Sequence, residues 1–225
     1  MSEINKAVIF DLDGVLTDTI EPHYLSWQKL MDELGVPFDR EKNDLLRGLS
    51  RNESLEVILG DRSGEFTAEQ KRDITRRKND LFLDLVAKMS PNDLFPGAGG
   101  LLQDLKQRGV PLAVASSSRN AEFVLTQIGA REYFDVVLDA NDVPRSKPDP
   151  AVFLEAAIRL DVSPERCIVI EDGAAGVEAA RKANMTVVGL GPIERVRRAQ
   201  LIKRVIGDLT ADELLSLPER AAASS

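Results

Sequence analysis

The sequence is poor in cysteine, in long apolar runs and in basic charge, and each shortage excludes a class of protein. Its 225 residues contain one cysteine, Cys167, so an internal disulfide is impossible, which suits a reducing compartment. No apolar run approaches the ~20 residues that cross a bilayer. Residues 1–6 contain no apolar signal core. We therefore expect a cytoplasmic protein without a membrane partner.

The charge balance is acidic, with 37 Asp and Glu residues against 29 Lys and Arg residues and a formal net charge of −8. Nucleic-acid binding depends on Lys and Arg side chains that neutralise phosphates, so no nucleic-acid partner is expected. A local pocket can still be positive and bind a small anion. We expect a monomer whose partner is a small molecule.

Short apolar runs that alternate with helical patterns predict the fold class. The strand candidates are residues 7–10, 111–115, 167–170 and 186–189, with 136–138 as a weaker fifth. The helical patterns between them cover residues 97–109, 119–129, 150–161 and 174–184. This alternation predicts an α/β protein with a Rossmann-like parallel sheet, in which ligands bind beyond the carboxyl ends of the strands.

Polar residues directly follow three of the predicted strands. Asp11 follows the first strand, Ser116 follows the 111–115 run, and Glu171 and Asp172 follow the 167–170 run. Because the carboxyl ends of parallel strands meet at one edge of a sheet, these four side chains should gather there. The sequence therefore predicts a polar site at that edge.

Residues 18–91 interrupt the alternation and contain no convincing strand. Apolar residues at helical spacing, together with capping boxes that begin at Ser50 and Thr67, predict helices in this segment. We interpret it as an inserted helical cap domain. The predicted α/β catalytic core then consists of residues 1–17 and 92–225.

The segment Asp11-Leu12-Asp13-Gly14 has the residue types of a phosphoryl-transfer nucleophile. Asp11 and Asp13 are two residues apart after a strand, so both carboxylates can address the same space, and Gly14 allows a sharp turn. An ordinary Asp pKa of about 4 predicts an ionised Asp11, which needs no base to attack phosphorus. Asp13 is then free to give and take the hydroxyl proton. The alternative is a plain acidic turn.

Glu171 and Asp172 supply further carboxylate oxygens beside Asp11. Hard oxygen ligands that serve a phosphate suit Mg²⁺. The cation would also offset the repulsion between Asp11 and the phosphate, which is large in a pocket of low dielectric. The alternative is a solvated acidic loop, and it applies to Glu171 more than to Asp172.

Ser116 and Lys147 have the side chains of phosphate ligands. Ser116 precedes a predicted helix, where a hydroxyl beside free amides can bind phosphate. Lys147 lies between Ser146 and Pro148, and the rigid backbone can fix its direction. Taken singly, Ser116 also fits a helix N-cap, and Lys147 fits a surface lysine in a proline turn.

In this order along the chain, the four segments resemble the motifs of the haloacid dehalogenase superfamily of phosphotransferases. In that family the first Asp is the nucleophile and the second is the acid/base. The family also implies a cis Lys147–Pro148 peptide bond. The resemblance implies three sets of site residues: the catalytic Asp11 and Asp13; the Mg²⁺ ligands Asp11, Asp13 (through its main-chain carbonyl), Glu171 and Asp172; and the phosphate ligands Ser116 and Lys147.

Residues of the inserted segment resemble the β-phosphoglucomutase subfamily. This resemblance rests on Asp18 to His23, Trp27, Arg47 to Arg51 and Arg77 to Asp80. It implies interconversion of β-D-glucose 1-phosphate and D-glucose 6-phosphate through an aspartyl-phosphate and β-glucose 1,6-bisphosphate. It further implies a second phosphate site at Arg51, Ser118 and Asn120, and cap-side residues Thr19, His23, Trp27, Arg47 and Lys78.

Arg51 also has a physical reason to bind phosphate. A mutase must hold a bisphosphate at both ends, so it needs two anion sites, and an arginine can supply bidentate hydrogen bonds. A cation at the start of a helix opposes the helix dipole, which argues against a plain surface role. Arg47 and Arg119 stand where lysine is common in close relatives, and this difference in geometry bears on the sugar preference.

Two other functions remain open at this point. A sugar-phosphate phosphatase would use the same Asp11 and Asp13, with water attacking the aspartyl-phosphate. A second phosphate site and a cap that excludes water distinguish the mutase from it. A non-catalytic binding module on the same fold is the other alternative, and the complete set of catalytic residues argues against it.

Overall fold

Six parallel strands form the centre of the structure, a computed structural model that describes residues 6–221. The start of the chain, at residues 1–5, lies outside the described residues. The spatial order of the strands is β3-β2-β1-β4-β5-β6, so β1 is central and pairs with both β2 and β4. The strand bounds are β1 Ala7–Phe10, β2 Leu112–Ala115, β3 Val136–Leu138, β4 Cys167–Glu171, β5 Thr186–Leu190 and β6 Leu201–Lys203.

The predicted α/β class and all five predicted strands are confirmed, while β6 was not predicted. It has three half-buried residues at the edge of the sheet, too few to give a periodic apolar pattern.

The helices are α1 Ile20–Leu34, α2 Arg40–Asp44, α3 Arg51–Leu59, α4 Ala68–Val86, α5 Ala98–Gln107, α6 Ala121–Gln127, α7 Ala151–Leu160, α8 Ala174–Lys182, α9 Ile193–Val196 and α10 Ala211–Ser216.

Apolar side chains cover both faces of the sheet, which is why its strands are continuous apolar runs. Alternate residues of β1 point to opposite faces: Val8 and Phe10 pack in one buried cluster, and Ala7 and Ile9 pack in another. Parallel strands buried in this way leave only their carboxyl ends available for polar chemistry.

The segment between β1 and β2 folds into helices α1 to α4 around its own apolar cluster, which includes Trp27, Leu30 and Ile58. Both predicted capping boxes are present. The Ser50 side chain accepts from the Glu53 backbone N–H and the Thr67 side chain accepts from that of Gln70, with a reciprocal bond in each case. These boxes fix where α3 and α4 begin.

No helix among residues 6–221 is both long enough and apolar enough to cross a membrane.

Candidate active site

A cavity of about 680 Å³ lies at the carboxyl edge of the sheet, between the strand ends and the helices of the inserted segment. Asp11 directly follows β1, Glu171 ends β4 and Asp172 comes next, and all three line the cavity. One carboxylate oxygen from each lies within 4.8 Å of the others. Parallel strand topology thus brings together acids that are distant in sequence.

The ammonium group of Lys147 lies between two of these acids, Asp11 and Glu171. Its Nζ donates to Asp11 Oδ1 at 2.6 Å, to Glu171 Oε1 at 2.8 Å and to the Ala115 carbonyl at 3.0 Å. The side chain is fully buried, so the predicted alternative of a surface lysine is wrong. The Lys147–Pro148 peptide bond is cis, as the family resemblance predicts. Three acceptors and complete burial fix this cation against Asp11.

Burial and the surrounding charges shift the pKa values of this pair. Burial raises the pKa of Asp11 well above its ordinary value, and the Lys147 ammonium opposes that rise. Burial disfavours the charged form of Lys147, but the carboxylates of Asp11 and Glu171 outweigh it and raise the Lys147 pKa. Asp11 is therefore not the ordinary carboxylate that its position after a strand suggests. It depends on the cation beside it to stay ionised.

Glu171 is held on both of its carboxylate oxygens. Lys147 donates to Oε1, and the backbone N–H of Gly173 donates to Oε2 at 2.6 Å. The carboxylate also lies against α8 at Gly176, where an added Cβ atom would come within 1.7 Å of Oε1. Glu171 is thus oriented towards Lys147 by its neighbours.

Asp13 lines the same cavity and is held by Thr19, whose hydroxyl donates to Asp13 Oδ1. Burial raises the pKa of Asp13, against the effect of the Thr19 hydrogen bond. Gly14 has φ +86°, and a Cβ atom there would approach Asp172 Oδ2 to 2.4 Å. Glycine is required at that turn for both reasons.

Asp172, at the edge of the sheet, forms an ion pair with Arg47 of the inserted segment. Arg47 Nη1 lies 2.5 Å from Asp172 Oδ2, and Arg47 Nε lies 2.5 Å from Asp44 Oδ1. Arg195 Nη2 lies 3.9 Å from the same Asp172 oxygen. Burial and the neighbouring Glu171 raise the pKa of Asp172 to about 7, against the effect of these arginines. Arg47 therefore lies at the acidic end of the cavity.

The half-buried His23 and the buried Lys78 form a polar pair on the side of the inserted helices. Lys78 Nζ lies 2.5 Å from His23 Nδ1 and over the rings of Phe82 and Trp27, at 4.5 Å and 5.6 Å from the centroids. Burial lowers the pKa of His23 well below its usual value, and the charges of Lys78 and Arg51 add to this. Burial and Arg51 likewise lower the pKa of Lys78. A neutral His23 accepting from Lys78 fits these shifts.

Arg51 and Asn120 meet at the side chain of Asn79. Arg51 Nη2 donates to Asn79 Oδ1 at 2.5 Å, and Asn120 Nδ2 donates to the same oxygen at 2.9 Å. Arg51 comes from α3, Asn79 from α4, and Asn120 from the loop before α6. No carboxylate in residues 6–221 forms an ion pair with Arg51. This half-buried guanidinium has a neutral partner.

The predicted site residues fall into those that line the cavity and those that support them from behind. Four do not line it: Thr19 is bonded to Asp13, Lys147 to Asp11 and Asn120 to Asn79, and the Ser116 hydroxyl accepts from the Ser118 backbone N–H at 3.0 Å. The cavity lining contains the other ten: Asp11, Asp13, His23, Trp27, Arg47, Arg51, Lys78, Ser118, Glu171 and Asp172.

Sequence reasoning assigns no role to three residues that organise this region: Asn79, which it names only within the segment Arg77 to Asp80, and Asp44 and Arg195. Arg195 could have been found, since it lies shortly after β5 at the same sheet edge as the other strand-end residues. Asn79 and Asp44 carry no such signal, because a helical Asn or Asp is usually a solvated residue.

Comparisons with known proteins give matches along most of the chain. The family model of haloacid dehalogenase-like hydrolases matches residues 5–184. A β-phosphoglucomutase from Bacillus subtilis (strain 168) is 44% identical over 211 residues, 93% of each chain. A phosphorylated carbohydrates phosphatase from Thermotoga maritima is 30% identical over 183 residues, 80% of this chain and 82% of its own. The crystal structure of β-phosphoglucomutase (pgmB) from Clostridium difficile superposes with a TM-score of 0.90 at 38% identity, covering 92% of this chain and 94% of its own.

Proposed function

The chain belongs to the haloacid dehalogenase-like hydrolase family, and we propose that it is a Mg²⁺-dependent phosphomutase that interconverts β-D-glucose 1-phosphate and D-glucose 6-phosphate. The β-phosphoglucomutases among its relatives support this choice of reaction. The observation that carries it is the presence of two separate sets of anion-binding groups on one cavity. Lys147 with Ser116, behind Asp11, forms one, and Arg51 and Ser118 on the cavity lining, with Asn120 behind Arg51, form the other.

The carboxylates at the sheet edge fit Mg²⁺. Asp11, Glu171 and Asp172 offer hard oxygen atoms within 4.8 Å of one another, and such oxygens are the ligands Mg²⁺ prefers. We propose that the Asp11 and Asp172 carboxylates hold the ion, with the Asp13 main-chain carbonyl. Glu171 lines the cavity beside them, and we propose that it orients Lys147 and does not hold the ion, because Lys147 and Gly173 already use its two oxygens. When bound, the ion neutralises charge on the phosphoryl group and on Asp11.

Asp11 acts as the nucleophile in this proposal. Its carboxylate oxygen attacks the phosphorus of the bound sugar phosphate, the ester bond to the sugar oxygen breaks, and an aspartyl-phosphate forms. Lys147 holds Asp11 at 2.6 Å and supplies positive charge where the phosphoryl oxygens would lie. Ser116, behind this pair, adds a hydroxyl for the same oxygens.

Asp13 moves the proton of the sugar hydroxyl. A hydroxyl that attacks the aspartyl-phosphate must lose its proton, and a departing sugar oxygen must gain one, so one carboxyl can serve both directions. Burial raises the pKa of Asp13, which favours the protonated form that can donate to a departing sugar oxygen. The Thr19 hydroxyl keeps the carboxyl pointed into the cavity.

The second set of groups makes the proposed reaction a mutase reaction. A bisphosphate intermediate must turn around and present its other end to Asp11, so the phosphate that is not reacting needs its own site. Arg51, Ser118 and Asn120 form that site, and His23, Trp27 and Lys78 enclose the sugar from the proposed cap, residues 18–91. A phosphatase would need only the first site.

One assay separates the two activities. The protein is supplied with β-D-glucose 1-phosphate, Mg²⁺ and a trace of β-glucose 1,6-bisphosphate, and both glucose 6-phosphate and free phosphate are measured. We expect glucose 6-phosphate to exceed free phosphate at every time point, and Asp11→Asn to abolish both. Free phosphate as the main product would establish the phosphatase instead.

We also propose a partner, a compartment and an oligomeric state for this enzyme. The partner is a small sugar phosphate, and the enzyme works as a cytoplasmic monomer. The free thiol of Cys167 suits a reducing compartment. Size-exclusion chromatography with light scattering tests the monomer, and a dimer mass would contradict it.

A further inference from the structure

The side-chain carbonyl of Asn79 joins two donors that belong to different parts of the chain. Arg51 Nη2 lies 2.5 Å from Asn79 Oδ1, and Asn120 Nδ2 lies 2.9 Å from it. A single oxygen with two lone pairs can accept both hydrogen bonds. Asn79 thus links α3 of the inserted segment to the loop that follows β2.

The charges around this oxygen favour an anion. Arg51 is half-buried, and burial together with the nearby Arg119 lowers the Arg51 pKa, while Asp80 opposes this. No ion pair of Arg51 or Arg119 occurs in residues 6–221, so two cations face the region and the oxygen between the donors is neutral. The Arg51 guanidinium would form a stronger hydrogen bond with an anionic acceptor than with the neutral Asn79 oxygen. A hydrogen bond between two charged groups is roughly twice as strong as one between neutral groups.

We infer that Asn79 is a positioning residue for the second phosphate site. Its carbonyl oxygen occupies the place of a phosphate oxygen and holds Arg51 and Asn120 in their binding geometry when no phosphate is bound. The inference rests on the proposed function, since it deepens the role of that same site. Asparagine suits the task because its oxygen is neutral: it orients both donors, and a phosphate can replace it.

The neutrality of Asn79 gives the decisive test. Asn79→Asp keeps the size and the acceptor but places a permanent negative charge between Arg51 and Asn120. That carboxylate would pair with Arg51 and repel a phosphate. The matched control is Asn92→Asp, the same change at an exposed position outside the cavity lining.

Two measurements on the full chain are compared for these variants. Calorimetry with glucose 6-phosphate reports binding that uses the second site, and hydrolysis of p-nitrophenyl phosphate reports chemistry at Asp11 alone. We expect Asn79→Asp to weaken glucose 6-phosphate binding at least about tenfold, equal to about 1.4 kcal/mol. Hydrolysis should stay near the wild-type rate, and Asn92→Asp should change neither value. Unchanged binding, or an equal loss in both assays, would overturn the role of Asn79.

A second variant keeps the test valid if Asn79→Asp folds poorly. Asn79→Ala removes the acceptor without adding charge, so it should weaken glucose 6-phosphate binding less than Asn79→Asp does. A larger loss in Asn79→Ala would contradict the inference. Failure of the proposed function is recognised separately. A wild-type protein that binds glucose 6-phosphate and forms none from β-D-glucose 1-phosphate refutes the mutase reaction, while the binding comparison still decides on Asn79.

Discussion

The carboxylate of Glu171 occupies the space beside Gly176, so that a Cβ atom added to Gly176 would lie 1.7 Å from Glu171 Oε1. That oxygen is the one that accepts from Lys147 at 2.8 Å. A helix glycine is therefore part of the support for the nucleophile. Any side chain at Gly176 must displace Glu171 and disturb the cation that holds Asp11.

Gly176→Ala should lower both stability and activity. Alanine normally stabilises a helix relative to glycine, but here the overpacked methyl group should reduce the free energy of unfolding by about 1–3 kcal/mol. Chemical denaturation and the mutase assay measure the two effects. The control is Gly100→Ala in α5, where an added Cβ meets nothing within 4 Å. It should stabilise the protein by about 0.5–1 kcal/mol. Equal effects of the two substitutions would refute the role of Gly176.

Lys78→Met should stabilise the protein near neutral pH while it reduces activity. Lys78 is fully buried and has no carboxylate partner within ion-pair distance in residues 6–221. Its hydrogen bond to His23 and its contacts with Phe82 and Trp27 offset only part of the several kcal/mol that burying an ammonium costs. Each kcal/mol gained should raise Tm by roughly 2–4 °C. The exposed Lys88→Met is the control and should change Tm little.

The pH dependence of the Lys78→Met effect follows from the direction of the pKa shift. Burial and Arg51 lower the pKa of Lys78 in the folded protein, so its charged form is disfavoured there. Destabilisation by Lys78 is greatest at low pH, where both states carry the proton. It fades as pH rises through the folded and then the unfolded pKa. The Tm difference between Lys78→Met and wild type should shrink as pH rises. A difference that grows with pH would contradict the argument.

The strands and the residues that follow them could be predicted because both depend on local sequence. A buried parallel strand is a continuous apolar run, and the first polar residue after it lies at the ligand edge of the sheet. Asp11, Ser116 and Glu171 were placed correctly at that edge on this basis alone. The capping boxes at Ser50 and Thr67 are also local: each is a pattern of four consecutive residues that predicts where a helix begins.

The supporting contacts could not be predicted because they join residues that are distant in sequence. Lys147 donates to Asp11, which lies 136 residues earlier in the sequence. The three oxygens that accept from Lys147 are brought together only by tertiary packing. The raised pKa of Asp11 follows from the same burial, so the expectation of an ordinary carboxylate was wrong. Arg47 and Asn79 pair with partners that no local pattern indicates. Local patterns predict where groups lie, and packing decides their charge and partners.

Cys167 should behave as a buried reporter of unfolding. It is the single cysteine of the chain and is buried at the start of β4. Burial and, to a smaller extent, the charge of Glu165 raise its pKa to about 12. An aromatic disulfide reagent at pH 8 should therefore react only when denaturant exposes the thiol, at the same midpoint as the loss of circular dichroism. Rapid reaction of the native protein would contradict the packing of β4.

The sign of the shift at Cys167 also predicts alkaline destabilisation. The folded protein keeps the thiol protonated, whereas the unfolded chain ionises it near pH 8.5. Stability should thus fall as pH rises from about 8.5 towards the folded pKa. Cys167→Ala should lose this part of the pH dependence, at the cost of a small cavity. An identical alkaline profile for wild type and variant would show that the thiol is not responsible.

Asp13→Asn should slow phosphoryl transfer because an amide cannot give or take the hydroxyl proton. We expect the mutase rate to fall by ~10²–10⁴-fold, the usual contribution of general acid–base catalysis. The fold should be retained, since the amide oxygen can still accept from Thr19. Steady-state formation of glucose 6-phosphate measures the effect, and an unaffected rate would remove Asp13 from this role.

Thr19→Val gives a finer test of the same carboxyl group. The Thr19 hydroxyl donates to Asp13 and so favours its ionised form, against the burial that raises the Asp13 pKa. Valine keeps the volume but removes this donor, so the Asp13 pKa should rise further. If a deprotonated Asp13 limits the rate on the acidic side, that limb of the pH–rate profile should move to higher pH. A shift to lower pH, or a uniform loss at every pH, would contradict the proton role and leave Thr19 with packing alone.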